Sequence, residues 1–153
     1  MYIAEQLFGE PLEKLPIGKE SKANQFIAKI ISCIDKSSFE MEIEDRRLMR
    51  AAPLDLPAAH ALRCEINRGE KVRMRQLRKY DVSVMVATLR LFLIELPDCI
   101  LTSALYEPLK KIYEDYNGEE GSNDRIAEIR TLLSDVPTVN FYTLEIILEH
   151  INQ

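Results

Sequence analysis

Ala23, Ile27, Ile30, Ile31 and Ile34 recur at intervals of four, three, one and three residues, the apolar stripe of an amphipathic helix that begins near Ser21. From Phe39 to Leu56 no period is sustained and Pro53 interrupts the chain, which predicts a loop. Asp55 just ahead of Pro57 gives a helix start, Ala61, Leu62 and Ile66 give a short apolar face, and Asn67-Arg68-Gly69 gives a stop. The longest apolar run extends from Asp81, a capping acid, to Leu96, where Pro97 ends it. Within it Val82, Val86, Leu89, Leu93 and Leu96 form one stripe, and Met85, Phe92 and Ile94 widen the apolar surface, as a helix surrounded by others requires.

Beyond Pro97, Leu105, Leu109, Ile112, Tyr113 and Tyr116 stand at helical spacing, with Thr102 or Ser103 as cap and Pro108 either kinking the helix or marking its first turn. The polar stretch Asn117 to Asn123 reads as a loop, and Ile126, Ile129, Leu132 and Leu133 as the face of the next helix. Pro137 closes that segment, and Asn140 caps a last helix carrying Phe141, Leu144, Ile147, Leu148 and Ile151. The pattern predicts an all-α bundle forming one domain over residues 1–153. Because the final stripe runs to the terminus, the bundle is expected to be incomplete there, its face covered by further chain or by another molecule.

Composition fits a soluble domain: 46% apolar, 29% charged, with no apolar run near the ~20 residues that span a bilayer. The first 20 residues lack a basic start leading into an apolar stretch, so no signal peptide is read and a cytoplasmic location is expected. Cys33, Cys64 and Cys99 are odd in number and lie far apart, which predicts buried, reduced thiols rather than a disulfide framework or a zinc site. The net charge of −5 hides a polarity. The segment from Arg46 to Lys79 holds ten basic residues against three acids, out of 20 and 25 in the whole chain. A basic face on an acidic body suits an acidic protein, an anionic lipid surface or a phosphate. Nucleic acid is excluded, since the rest of the chain repels it and the basic segment lacks interleaved aromatics.

Self-contained catalysis finds no support. His60 and His150 are the only histidines, neither has a second histidine one turn away, and although Cys64 follows His60 by four residues, no metal site is expected. Glycine-rich phosphate loops, dinucleotide fingerprints and the nucleophile elbow are all absent, so no cofactor is expected.

The stretch Thr88-Leu89-Arg90-Leu91-Phe92-Leu93-Ile94-Glu95-Leu96-Pro97-Asp98, with Leu105-Tyr106 after it, resembles the central signature of RhoGAP domains. Leu7-Phe8-Gly9-Glu10-Pro11-Leu12 is similar to the family's F-G-x-P-L opening, Leu62-Arg63 to Gly69 to its L-R-x-x-x-[DN]-x-G, and Tyr80-Asp81-Val82 to its Y-D-V-H. Pro137 to Asn140 with His150 resembles its L-P-x-x-N and H-L.

The resemblance implies a RhoGAP-like helical bundle whose partner is a small Rho-, Rac- or Cdc42-type GTPase in its GTP form. Such domains insert an arginine into the partner's site, where a guanidinium stabilises charge spreading over the transferring phosphoryl group, an effect of roughly 10³ to 10⁵ in rate. Arg50, in Arg47-Leu48-Met49-Arg50-Ala51-Ala52-Pro53, occupies the place of that finger, although neither glycine of the family's G-[IL]-[FY]-R-V-S-G is present. Arg46 and Arg47 are the neighbouring partner-binding candidates, and Arg90 stands where the family has a supporting lysine. Ile94 replaces a partner-contacting arginine, Cys99-Ile100 replaces Pro-Leu, and the family's asparagine lies on a helix beyond this chain. The alternative is a degenerate relative that docks a GTPase, another protein or, through neighbouring domains, an anionic membrane surface without stimulating hydrolysis.

Overall fold

The computed structural model describes residues 6–42, 56–68, 74–116 and 123–153. The apolar stripe of the first helix is realised as α1 (Gln25–Phe39), which buries Phe26, Ile27, Ile30, Ile31, Cys33 and Ile34. It starts later than Ser21, at an Asn24 cap whose side-chain oxygen accepts from the Ile27 amide at 2.9 Å. Ser21 instead belongs to a turn closed by the Gly18 amide donating to Ala23 and the Lys22 amide donating to Gly18. The helix also runs through Phe39, where the sequence suggests a loop. Asparagine wins as cap because its oxygen reaches the first-turn amides while the turn before it stays closed.

Helix α2 (Leu56–Asn67) buries Ala59, Leu62 and Ile66, so Ala61 faces outward and Ala59 takes the core position assigned to it. The short α3 (Met74–Leu77) contributes Leu77 to the core. Helix α4 (Val82–Glu95) packs against both α1 and α2. A helix between two neighbours needs more than one stripe, and its buried set is Val84, Met85, Ala87, Thr88, Leu89, Leu91 and Phe92. Of the predicted stripe only Leu89 is deeply buried; Val82, Val86, Leu93 and Leu96 are half-covered at the edge of the core. Asp81 stands at the start of α4 without a side-chain capping bond; its carbonyl accepts from Val84 and Met85.

A 3₁₀ turn, Ser103–Leu105, leads into α5 (Tyr106–Asp115). Neither Thr102 nor Ser103 caps through its side chain; Asp98 Oδ1 organises the turn by accepting from the Cys99 and Ser103 amides at 3.0 and 2.9 Å. Pro108 lies in the first turn of α5, where its missing N–H has no intrahelical acceptor to lose. Helix α6 (Asn123–Leu133) packs on α5 and has no fully buried residue. Helix α7 (Thr138–Ile151) returns against α1. It begins two residues before Asn140, which is therefore not its cap but a buried member of its first turn.

The core is organised around three phenylalanines from three separate segments. Phe8 lies 5.6 Å from Phe26 and 5.2 Å from Phe92, and Phe26 lies 5.0 Å from Phe92, measured between ring centroids. Phe8 and Phe92 meet nearly edge to face, each such pair contributing roughly 0.5–1.5 kcal/mol beyond area burial. Phe8, Leu12 and Leu15 thus place the segment before α1 in the same core as the helices. On α7, Phe141, Leu148 and Ile151 are exposed, while Ile147 packs against the core.

Candidate functional site

The motif residues meet one another rather than a cleft. Asn67 Oδ1, at the end of α2, accepts from the Leu7 and Phe8 amides at 3.1 and 3.2 Å, fastening the Phe-Gly opening to the second helix. Four residues earlier on α2, Arg63 donates through Nε to Glu95 Oε2 on α4 at 2.7 Å, and its guanidinium lies 5.7 Å from the Phe8 ring centroid. The bond to Glu95 holds the Arg63 guanidinium even more firmly protonated than usual. Tyr80 donates to Glu65 at 2.6 Å, joining the turn before α4 to α2.

At the other end, Asn140 Nδ2 donates to the Ile100 carbonyl at 2.9 Å, and the buried Thr143 hydroxyl oxygen accepts from the Asn24 amide at 2.9 Å. His150 and Asp35 tie the end of α7 to α1 with 2.5 Å between Nδ1 and Oδ1. His150 is thus paired across helices, and His60 lies exposed on α2. Sequence reasoning finds the motifs but misses the pairings. Arg63 and Glu95 each stand inside a recognised motif, and opposite charge on two neighbouring helices is the only local signal that links them.

Of the site residues expected from sequence, Arg46, Arg47 and Arg50 lie outside the described residues. Arg90 is described. It is exposed on α4, on the side away from Met85 and Phe92, and makes no ion pair among the described residues. One turn further on, Ile94 is 78% exposed. Central-helix packing thus fixes the backbone beneath Arg90 while leaving its guanidinium in solvent.

Of the basic segment, Arg68, Arg78 and Lys79 are exposed and Arg63 is engaged with Glu95; the remaining basic side chains are outside the described set. Arg78 borders an open depression of about 530 Å³ together with Asp35, Lys36, Phe39, Glu40 and Gln153. Its mixed charge suits no single ionic ligand. Among the described residues no group of three His, Cys, Asp or Glu side chains could hold a metal ion, and no helix is long and apolar enough to cross a membrane. All three cysteines are thiols, but only Cys33 is buried as expected; Cys64 and Cys99 are exposed. Burial pushes the Cys33 thiol up from its ordinary value, against the opposing pull of Arg78 and Lys36. The two exposed thiols lie on the outer side of α2 and in the turn after α4, neither of which faces the core.

Comparison with known proteins places this architecture. The family model for the RhoGAP domain matches residues 25–153. The chain is 29% identical over 157 residues to Rho-GTPase-activating protein 8 of Schizosaccharomyces pombe, covering 99% of this chain and 19% of that protein. It is 22% identical over 151 residues to Rho GTPase-activating protein 15 of Gallus gallus, covering 99% of this chain and 30% of that one. The crystal structure of human Rho GTPase activating protein 15 superposes with a TM-score of 0.76 at 21% identity, over 97% of this chain and 66% of that chain. The chain therefore spans less than a third of these two curated relatives, and the structural likeness is one of all-α fold.

Proposed function

This chain belongs to the RhoGAP domain family, and on that premise we propose that it binds Rho-, Rac- or Cdc42-type small GTPases in their GTP form and accelerates hydrolysis of the bound nucleotide by inserting Arg50. The observation that carries the reading is the family match over residues 25–153. The internal bonding of the motif residues supports it: Asn67 with Phe8 ties the opening segment to α2, and Arg63 with Glu95 ties α2 to α4. Residues 6–24 share its core, so we take residues 1–153 as one domain.

The chemistry asked of the domain is electrostatic. In phosphoryl transfer to water, charge develops on the equatorial oxygens of the γ-phosphoryl group and on the leaving oxygen, and the protein stabilises it by position rather than by covalent steps. Arg50 supplies the guanidinium, with Arg46 and Arg47 as neighbouring contacts to the partner. Arg90 supports the finger segment or the GTPase from the exposed face of α4. Arginine in place of lysine keeps the charge there but presents a planar fork of donors, which favours a carboxylate or carbonyl pair over a single point contact. The partner is met in the cytoplasm or on an anionic membrane surface to which neighbouring domains bring the module.

Two departures favour a second reading, a domain that docks the GTPase without stimulating it. The segment around Arg50 has no glycine between Arg47 and Pro53, so its backbone lacks the residue that approaches a ligand most closely. Ile94 also lacks the charge of the arginine it replaces. Single-turnover GTP hydrolysis by Rho, Rac and Cdc42 separates the two. The activator raises the intrinsic rate by at least roughly 10³, and Arg50→Ala abolishes most of that gain. Binding of the GTP form with an unchanged hydrolysis rate establishes the docking module instead. Stimulation that survives Arg50→Ala assigns the finger to another arginine.

A further inference from the structure

Independently of the GTPase reading, we infer that the junction of α1, α7 and the turn after α4 is a binding site for one buried water molecule, held by Asn24 Nδ2, the Thr143 hydroxyl and Asn140 Oδ1. The first support is unmet polarity. Asn24, Asn140 and Thr143 are 1%, 6% and 0% exposed, and Asn24 Nδ2 and Asn140 Oδ1 have no hydrogen-bond partner among the described residues. Buried polar groups are normally paired, with water where the chain supplies no partner. Neither amide can be turned round to remove the demand. Asn24 Oδ1 accepts from the Ile27 amide and Asn140 Nδ2 donates to the Ile100 carbonyl, both at 2.9 Å, so a flip would set N–H against N–H at one and oxygen against oxygen at the other.

Position is the second. The Asn24 backbone amide lies 2.9 Å from Thr143 Oγ1. Asn140 precedes Thr143 by three residues on α7, which sets their side chains about 60° apart around the helix and about 4.5 Å apart along it. The third is the direction of the Thr143 hydroxyl. Thr88 and Thr131 donate back to the carbonyl four residues earlier at 2.7 and 3.0 Å, whereas Thr143 makes no such bond among the described residues and keeps its proton for another acceptor. The junction therefore presents two donors, Asn24 Nδ2 and the Thr143 hydroxyl, and one acceptor, Asn140 Oδ1. Water matches that set: its oxygen accepts from both donors and one of its hydrogens goes to Asn140, giving the roughly three bonds usual for a buried water. The two donors disfavour a cation and the Asn140 oxygen disfavours an anion. Bound there, the water completes the hydrogen bonding of Asn140 and so steadies the side chain that holds Ile100, two residues before the strained Thr102.

The test is a crystal structure of the full chain at a resolution that shows ordered water, with a second crystal held under xenon. The expected result is a single water peak within about 3.2 Å of Asn24 Nδ2, Thr143 Oγ1 and Asn140 Oδ1. No xenon should enter, because xenon occupies dry, apolar cavities. A direct bond between the two amides, a separate water on each, or a xenon atom at the junction overturns the inference. In solution, the Asn24 side-chain amide protons should show cross-relaxation with water of the sign that marks a long-lived bound molecule. The signal should persist in Thr143→Val, where the water keeps both amides as partners. Its loss in that variant would assign the wild-type signal to the exchanging Thr143 hydroxyl and overturn the inference; if the variant does not fold, the two crystal structures decide.

Discussion

Arg63 joins α2 to α4 through a 2.7 Å bond to Glu95 while its guanidinium rests over the face of Phe8, so one side chain links three of the segments that carry the family's motifs. Both ends of the ion pair are about a quarter exposed, at 28% and 25%, which keeps its Coulombic contribution near the range of surface pairs. The pair contributes about 1 kcal/mol and the contact with the Phe8 ring about 0.5–1 kcal/mol. Arg63→Ala is therefore expected to cost about 1–2 kcal/mol and to lower the melting temperature by a few degrees. Glu95→Gln keeps an acceptor for Nε and should cost less. Urea denaturation of both single variants and the double variant checks the coupling. Strictly additive losses would show that the two residues act separately.

Strain lies in the turn that follows α4. Thr102 has φ 66 and ψ 144, a backbone conformation that a β-branched residue adopts at a cost of roughly 1–3 kcal/mol. Its side chain makes no capping bond, while its backbone is held at both ends, the amide donating to Cys99 and the carbonyl accepting from Leu105. Thr102→Gly removes the Cβ clash and keeps both bonds, and glycine's greater freedom in the unfolded chain offsets about 0.5–1 kcal/mol of the gain. The expected result is a net stabilisation of about 1 kcal/mol, read as a higher urea midpoint at unchanged slope. Thr102→Val, which keeps the branch, should give none.

These positions show what sequence could and could not reveal. Helices announce themselves by period: the stripe from Ile27 to Ile34 and the apolar run before Pro97 both become buried faces. Boundaries depend on which of several polar residues wins a backbone amide, and that contest is decided by tertiary neighbours. Asn140 looks like a cap, yet its amide is spent on the Ile100 carbonyl 40 residues away, and Asn24 takes the capping role expected near Ser21. Asn67 lies in a stop signal and in a family motif, but nothing local shows that its oxygen serves the Leu7 and Phe8 amides. The exposure of Cys64 and Cys99 was equally hidden, because a cysteine on the outer side of a helix reads like any other small apolar residue. The candidate site was drawn from resemblance alone, because an arginine expected to work on another protein's substrate carries no ligand set or catalytic pair in its own sequence, and Arg46, Arg47 and Arg50 lie outside the described residues.

The cysteines give a chemical check on the core. Cys33 is buried and its thiol pushed up by burial, whereas Cys64 and Cys99 are exposed. At pH 8 a disulfide reagent should label two thiols rapidly and the third only after denaturation, because the thiolate is the reacting form. Cys33 also links stability to alkali. Below the ordinary thiol value of about 8.5 both folded and unfolded chains hold the proton, so the group adds no pH dependence. Above it the unfolded chain ionises first, and stability is expected to decline as pH rises until the folded thiol titrates as well. Cys33→Ala should reduce that alkaline slope while costing about 1 kcal/mol or more for the cavity. Rapid labelling of three thiols in the native protein would contradict the burial of Cys33.

Substitution at Arg90 tests partner recognition apart from folding. Its side chain is exposed and makes no ion pair among the described residues, so Arg90→Ala should leave the urea midpoint within about 0.5 kcal/mol of the wild type. If the exposed face of α4 meets the GTPase, the same substitution removes a charge that the complex desolvates, and truncation of such a group costs about 2–5 kcal/mol in affinity. Arg90→Lys restores the charge without the planar fork and is expected to recover part of the loss. Salt provides the discriminating measurement. Wild-type affinity should fall as ionic strength rises, and Arg90→Ala should flatten that dependence, because the lost interaction is the screened one. An Arg90→Ala protein that binds and stimulates like the wild type at every salt concentration would move the GTPase contact off this face of α4.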